Sequence, residues 1–159
     1  MDTIDKRILA IIAEDSSISA TRLGDLVGLS IPAVNKRLAK LRSEGIIKTS
    51  TVITDPKRVG KSVTAFILIA AKYGEGITAF LDYVSGDPDV LECYAVAGEY
   101  DYLIKVCAGD VESLENKLLY IKSRKGVLKS YTMLSLMEHK YKATVLPDMD
   151  DDKEGDSEQ

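Results

Sequence analysis

The chain has 159 residues, enough for one ordinary domain or two small ones, and its 45% apolar content supports a packed core that is aliphatic, since aromatics make up 6% and Trp is absent. No apolar run reaches the roughly 18 residues that a membrane-spanning helix needs, and Met1-Asp2 leads into a charged helix rather than a secretory leader, so a cytoplasmic protein is expected. The net charge of −4 disfavours nucleic acid only until it is divided: residues 1–61 hold 11 Lys/Arg against 7 Asp/Glu, residues 62–147 hold 9 against 11, and residues 148–159 hold 1 against 7.

Asp2 is placed to cap a first helix whose Ile4, Ile8, Ile11 and Ile12 share one face. Residues 19–43, SATRLGDLVGLSIPAVNKRLAKLRS, read as two short helices joined by a tight turn. Leu23, Leu26 and Val27 form the apolar stripe of the first. Gly28 suits the left-handed residue that ends it, Ser30 suits the N-cap of the next, and Pro32 sits where a missing N–H costs little. Val34, Leu38 and Leu41 recur at i, i+4 and i+7, so Pro32, Lys36, Ala39 and Lys40 fall on the opposite side with Asn35 at its flank. A short helix, a glycine turn and a basic second helix are the parts of a helix-turn-helix, whose second helix enters the major groove of DNA. The plainer alternative is a helical hairpin with a solvated lysine face. After Glu44-Gly45, residues 46–53 are β-branched and hairpin-like, as a small wing would be. DPKRVG at 55–60 reads as turn and linker.

Beyond residue 62 strands alternate with helices. Strands are expected over 63–71, 90–97, 102–108 and 127 to about 137. Ile77, Phe80, Leu81 and Val84 form one helical stripe, and Asp110 caps another with Val111, Leu114, Leu118 and Ile121 inward. The order β-α-β-β-α-β is the ferredoxin-like arrangement, two helices on one face of an antiparallel sheet. The expected class is α+β: helix-turn-helix over 1–54, linker over 55–62, ferredoxin-like domain over 63–147 and a disordered acidic tail over 148–159. The first strand is apolar on both faces, with Phe66, Leu68 and Ala70 opposite Val63, Ala65, Ile67 and Ile69. Two helices cannot cover both, so the open face is expected to pack on a second copy. Cys93 and Cys107 lack metal-ligand spacing and read as reduced, buried cysteines. The tail can simply solvate, or it can mimic DNA and compete for the basic helix.

Together these stretches resemble the Lrp/AsnC family of transcriptional regulators across residues 1–147. The resemblance is carried by IDKRIL around Asp5, LVGLS from Leu26, EGIIK from Glu44, DPKRVG from Asp55, AGEYDYLIKV from Ala97 and KGVLKSYTML from Lys125. The acidic tail is not part of that pattern. The resemblance implies a regulator that binds double-stranded DNA, responds to an amino acid or related small effector, and assembles as a homodimer and larger rings. No cofactor or metal is implied, and no P-loop, dinucleotide fingerprint or metal cluster is present. Sirohaem decarboxylases resemble the same family across both domains and supply the enzyme alternative, but the sheet domain is acidic and His139 is the one histidine.

Base contacts are expected from Asn35, suited to adenine N6/N7, and Lys36, suited to guanine O6/N7. Arg37, Lys40 and Arg42 are expected on phosphate, with the helix start at Ser30, and with Arg22 and Lys48 as weaker candidates. The resemblance places an effector at the turn Gly98-Glu99-Tyr100-Asp101-Tyr102. Free N–H groups near Gly98 would hold a carboxylate there, and Asp101 an ammonium. It adds Thr132, Met133, Leu134 and Ser135, from the same or a neighbouring subunit.

Overall fold

The computed structural model describes residues 1–72 and 74–148 and divides into two compact units, Met1–Val52 together with residues 140–148, and Ile53–His139. The expected linker 55–62 therefore belongs to the second unit, and the end of the expected second domain groups with the first. The acidic stretch lies, from residue 149 onward, outside the described residues.

The first unit holds α1 (Thr3–Glu14), α2 (Ala20–Val27) and α3 (Ile31–Ser43). Asp2 caps α1 by accepting the Asp5 N–H at 2.8 Å, and Ser19 caps α2 by accepting the Arg22 N–H at 3.2 Å. Ser30 has N-cap backbone angles, but its hydroxyl makes no capping bond. Gly28 ends α2 at φ 71° and donates its N–H to the Gly24 carbonyl. Gly24 is needed for a different reason: a Cβ there would lie 2.5 Å from the Leu29 carbonyl oxygen, so the turn closes only without a side chain. Ile8, Leu23, Val27, Val34 and Leu41 form the buried core. Burial of one such side chain is worth about 1.5–3 kcal/mol, so the Val34/Leu41 side of α3 turns inward and its charged side turns out. Leu26, expected in the α2 stripe, is exposed, and its carbonyl accepts from Arg7 Nη2 at 3.2 Å. The expected hairpin over 46–53 does not form; the chain there has turns and irregular backbone, with Val52 84% exposed. β-branched residues without a paired strand or a face to bury do not make a sheet by themselves.

The second unit opens with a compact turn in which the Pro56 carbonyl accepts the Lys61 N–H at 2.7 Å. Next come β1 (Val63–Ala71), α4 (Glu75–Gly86), β2 (Val90–Ala95), β3 (Tyr102–Ala108), α5 (Val111–Lys122) and β4 (Val127–Leu134). The strands form one antiparallel sheet in the order β2-β3-β1-β4. β2 and β4 each stop short of expectation, at Ala95, where β3 begins opposite with Tyr102, and at Leu134, beyond which the Ser135 N–H still donates to the Thr64 carbonyl at 2.9 Å.

Ala65, Ile67, Ile69, Ile104 and Val106 pack with Phe80, Val84, Leu114 and Ile121 of the two helices. The register puts Phe66 opposite Met133, Leu68 between Leu103 and Tyr131, and Tyr94 beside Leu103, all on the other face. Among the described residues no helix packs on that face, and Tyr94 and Tyr131 are 53% and 54% exposed. Cys107 is buried, but Cys93 is exposed on the β2 edge, contrary to expectation; partial burial still pushes its thiol up. A polar cluster joins α4, α5 and the turn before β2. Lys117 bridges Asp87 and Asp89, the Tyr83 hydroxyl donates to Asp87 at 2.5 Å, and Lys61 pairs with Asp89 at 2.6 Å.

Candidate functional site

The outer side of α3 is built by the packing of its inner side. With Val34 and Leu41 seated in the core, the 100° step per residue spreads Arg42, Asn35, Ala39, Lys36 and Lys40 over an arc of about 160° facing away from it. Asn35, Lys36, Lys40 and Arg42 are all exposed. Lys36 has no ion pair among the described residues. Lys40 is 54% exposed and stands 3.9 Å from Glu44 and 4.0 Å from Asp5, too loosely held to be withdrawn from an anion. Arg22, Ser30 and Lys48 are exposed as well, away from that arc in sequence but within the same unit.

Arg37 departs from the expected phosphate set. Its Nη1 donates to Asp2 Oδ2 at 2.6 Å and to Asp5 Oδ1 at 2.7 Å, and Asp5 is 1% exposed. The hydrogen bond from Arg37, with those from the Asp5 and Ile4 backbone, holds the Asp2 carboxyl below the usual carboxylate range, and the two carboxylates raise the Arg37 guanidinium in turn. Arg37 thus ties α3 to the start of α1 rather than reaching outward. Helical position alone gives the warning: Arg37 lies on the boundary between the buried and exposed sides, next to Leu38 and Leu41.

In the second unit the 98–102 turn is fastened to the end of β1. Asp101 donates its N–H to the Ile69 carbonyl at 2.9 Å, and its Oδ2 accepts the Ala71 N–H at 2.7 Å. The carboxylate expected to hold an effector's ammonium therefore has one oxygen engaged by backbone. Gly98 takes φ 137°, a conformation other residues avoid. Lys129, which no sequence motif singles out, reaches this turn from β4: its Nζ donates to Glu99 Oε1 at 2.7 Å and lies 5.1 Å from the Tyr100 ring centroid. Glu99, ahead of Tyr100, raises its ammonium group. The cross-strand register of Ala70 with Lys129 makes the contact, and no spacing within KGVLKS announces it.

The second half of the expected effector set lies elsewhere. Met133 pairs with Phe66 and Leu134 with Ala65, whereas the turn is fastened at Ile69 and Ala71, three and five residues further along β1 than Phe66, or about 10 and 17 Å. Strand alternation also sends Met133 to the open face and Thr132, opposite Ile67, to the helix face. In one copy Thr132, Met133, Leu134 and Ser135 are therefore offset from the turn along β1 and divided between the two faces of the sheet.

The Lrp/AsnC ligand binding domain family matches residues 64–145, and a winged helix-turn-helix DNA-binding family matches residues 1–48. The chain is 36% identical to the HTH-type transcriptional regulator FL11 of Pyrococcus horikoshii, over 92% of this chain and 96% of that protein. It is 40% identical to the transcriptional regulator AzlB of Bacillus subtilis, over 75% of this chain and 77% of that one. Among solved structures it is similar to a transcriptional regulator of Neisseria meningitidis in complex with L-Met. That match has TM-score 0.87 and 26% identity, over 91% of this chain and 96% of the other. A feast or famine regulatory protein of M. tuberculosis complexed with L-methionine matches at TM-score 0.82 and 26% identity, over 92% and 99% of the two chains.

Proposed function

The chain belongs to the Lrp/AsnC family of DNA-binding transcriptional regulators, and we propose that it reads an operator with the outer arc of α3, as a homodimer, under the control of a small amino-acid-like effector. The observation that carries the DNA reading is Lys36: an exposed ammonium without an ion pair among the described residues, on a helix whose orientation is imposed by Val34 and Leu41. Asn35 and Lys36 face base edges; Lys40 and Arg42, with Arg22 and Lys48 at the margin, face phosphate. A role at DNA supports a cytoplasmic location; among the described residues no helix is long and apolar enough to cross a membrane.

The open sheet face supports the dimer. Phe66, Leu68, Leu103, Tyr131 and Met133 form a continuous apolar surface that one chain leaves uncovered, and a second copy laid on it by two-fold symmetry buries both. A two-fold dimer calls for an inverted repeat in the operator. Rings of dimers are the larger assembly the family resemblance implies. They offer a way for strand residues of a second copy to approach the 98–102 turn.

For the effector, Gly98 and Tyr100 supply backbone N–H groups for a carboxylate, Asp101 and Tyr102 flank them, and Lys129 stands beside Tyr100. L-methionine, named with two of the structural neighbours, is the first ligand to try. Those neighbours and the curated relatives are regulators, which favours this reading over a tetrapyrrole decarboxylase.

Fluorescence anisotropy with a labelled duplex, titrated with NaCl, tests the DNA reading. Lys36→Ala on phosphate lowers the salt slope by about 0.9; on a base it relaxes discrimination at one position by about 1–3 kcal/mol. An unchanged isotherm for Lys36→Ala together with Lys40→Ala overturns the assignment to α3. A thermal-shift screen of amino acids, beginning with L-methionine, tests the effector reading, since a ligand that binds only the folded state raises the melting temperature.

A further inference from the structure

The helix layer of the second unit carries a cation outside the charge balance of its polar cluster. Asp87 and Asp89 there are matched by Lys117 and Lys61, two carboxylates against two ammonium groups. Arg124, just past the end of α5, is additional to that balance. Its guanidinium carbon lies 3.6 Å from the Tyr120 ring centroid and 5.4 Å from that of Tyr83, and the two rings are 4.7 Å apart. At 3.6 Å only a face-on approach fits, because an edge-on guanidinium would drive a nitrogen into the ring. Stacking of this kind uses the charge and the flat face and leaves the in-plane N–H donors unspent. Among the described residues those donors find no acceptor: the Arg124 side chain makes no hydrogen bond or ion pair, and its buried Nε–H is unmatched. The side chain is half-buried with Nε enclosed, so the Nη end of the fork is the part open to solvent.

The backbone holds this fork in place. The Arg124 N–H donates to the Ile121 carbonyl at 3.0 Å, and its own carbonyl accepts the Val127 N–H at 3.1 Å. Gly76 of α4 packs on the next peptide so closely that a Cβ there would lie 2.6 Å from the Lys125 carbonyl oxygen. The ordering cost that an arginine normally meets on binding is therefore met in advance, by the rings and by the turn beneath. We propose that Arg124 is an oxyanion receptor, its two Nη groups taking two oxygens of a carboxylate or a phosphate end-on. A planar fork fits either anion bidentately, whereas an ammonium in its place would offer only a point charge. Tyr83 and Tyr120 belong to the helices that cover one side of the sheet, so a second copy laid on the open face leaves this receptor accessible.

Modification of the full chain by the arginine reagent phenylglyoxal, read by mass spectrometry, tests this. Arg58, whose side chain is 87% exposed, serves as the internal reference. Without added anion Arg124 should react, because the Nη end is open. Inorganic phosphate and succinate, each titrated against sodium chloride of equal ionic strength, should slow that reaction saturably in the millimolar range, as befits one exposed ion pair. Arg58 should follow the chloride control. Stronger protection by phosphate assigns a phosphorylated ligand, and stronger protection by succinate assigns a carboxylate. Tyr120→Phe keeps the stack and should keep the protection; Tyr120→Leu removes it and should raise the concentration for half-protection several-fold. An Arg124 that is inert without anion, protection no greater than that by chloride, or equal protection in the Tyr120→Leu protein overturns the proposal.

Discussion

Arg37 of α3 donates to Asp5 of α1 at 2.7 Å, and Asp5 is almost completely buried. One guanidinium on the basic helix therefore belongs to the fold of the first unit, while its sequence neighbour Lys36 stands exposed. Adjacent residues of like charge thus have separable consequences.

Arg37→Met is expected to lower the melting temperature of the protein and to leave the salt slope of duplex binding within about 0.3 of the parent, because no phosphate contact is lost. Lys36→Ala should do the reverse. Asp5→Ala, which removes a buried hydrogen-bonded charge, should cost about 1.5–3 kcal/mol in a urea titration. A fall of about one unit in the salt slope for Arg37→Met, with stability kept, would return Arg37 to the phosphate set.

Gly24→Ala is a test of the turn between α2 and α3. The new Cβ meets the Leu29 carbonyl oxygen at 2.5 Å, a backbone atom rather than the end of a flexible side chain, so the turn has to open. A loss of about 1–3 kcal/mol in stability and weaker duplex binding are expected. Gly28→Ala offers a comparison: nothing lies within 4 Å of its Cβ, and only the cost of φ 71° is felt. Equal effects from the two would show that close approach is not what Gly24 provides.

Leu68→Asp and Tyr131→Asp place charge on the open sheet face, at positions paired with each other in the register. Each should convert the dimer to a monomer by light scattering at micromolar concentration, with far-UV circular dichroism retained. A dimer that survives both substitutions places the assembly surface elsewhere.

The Asp87 cluster predicts an acid limb in stability. Burial opposes ionisation of Asp87, but hydrogen bonds from Lys117 and Tyr83 outweigh it and hold its carboxyl below the usual range. Tyr83 is raised in turn by burial and by Asp87. A carboxyl depressed in the folded state contributes stability that is complete above its unfolded value of about 3.9 and is lost as pH falls through the folded value. Asp87→Asn should therefore be less stable than the parent at pH 7, with the difference closing below about pH 4. A constant difference across that range would mean that packing, not charge, is what Asp87 supplies.

Asp101→Ala leaves the Ala71 N–H without its acceptor and is expected to cost about 1–3 kcal/mol before any ligand is added. Loss of a thermal shift with L-methionine is informative only beside that baseline. Lys129→Ala removes the contacts to Glu99 and Tyr100 without touching backbone pairing, so it is the cleaner probe of the turn as an effector site.

Much of the fold is legible in the residues because it depends on local rules. Asp2, Ser19 and Asp110 cap helices through bonds to the residue three places on, Gly28 closes α2 in the left-handed region, and alternation along 63–71 marks a strand apolar on both faces. The 46–53 stretch misleads because β propensity without a pairing edge does not produce a strand. The site is less legible. Asn35, Lys36, Lys40 and Arg42 can be read from the helical period; that period puts Arg37 at the edge of the buried side but cannot name its partners, which are 32 and 35 residues away.

The sequence by itself determined where α1, α2, α3 and α5 begin, which side of α3 is apolar, the order of strands and helices, and the separation of basic, near-neutral and acidic parts, since capping, periodicity and charge are properties of neighbouring residues. Only the tertiary structure decided that Arg37 serves Asp2 and Asp5, that Asp101 serves Ala71, that Lys129 stands at the 98–102 turn, and that Met133 pairs with Phe66, three residues short of the turn's anchor at Ile69. These are matters of register and of which elements meet, and both are settled by the burial of apolar faces across long stretches of chain.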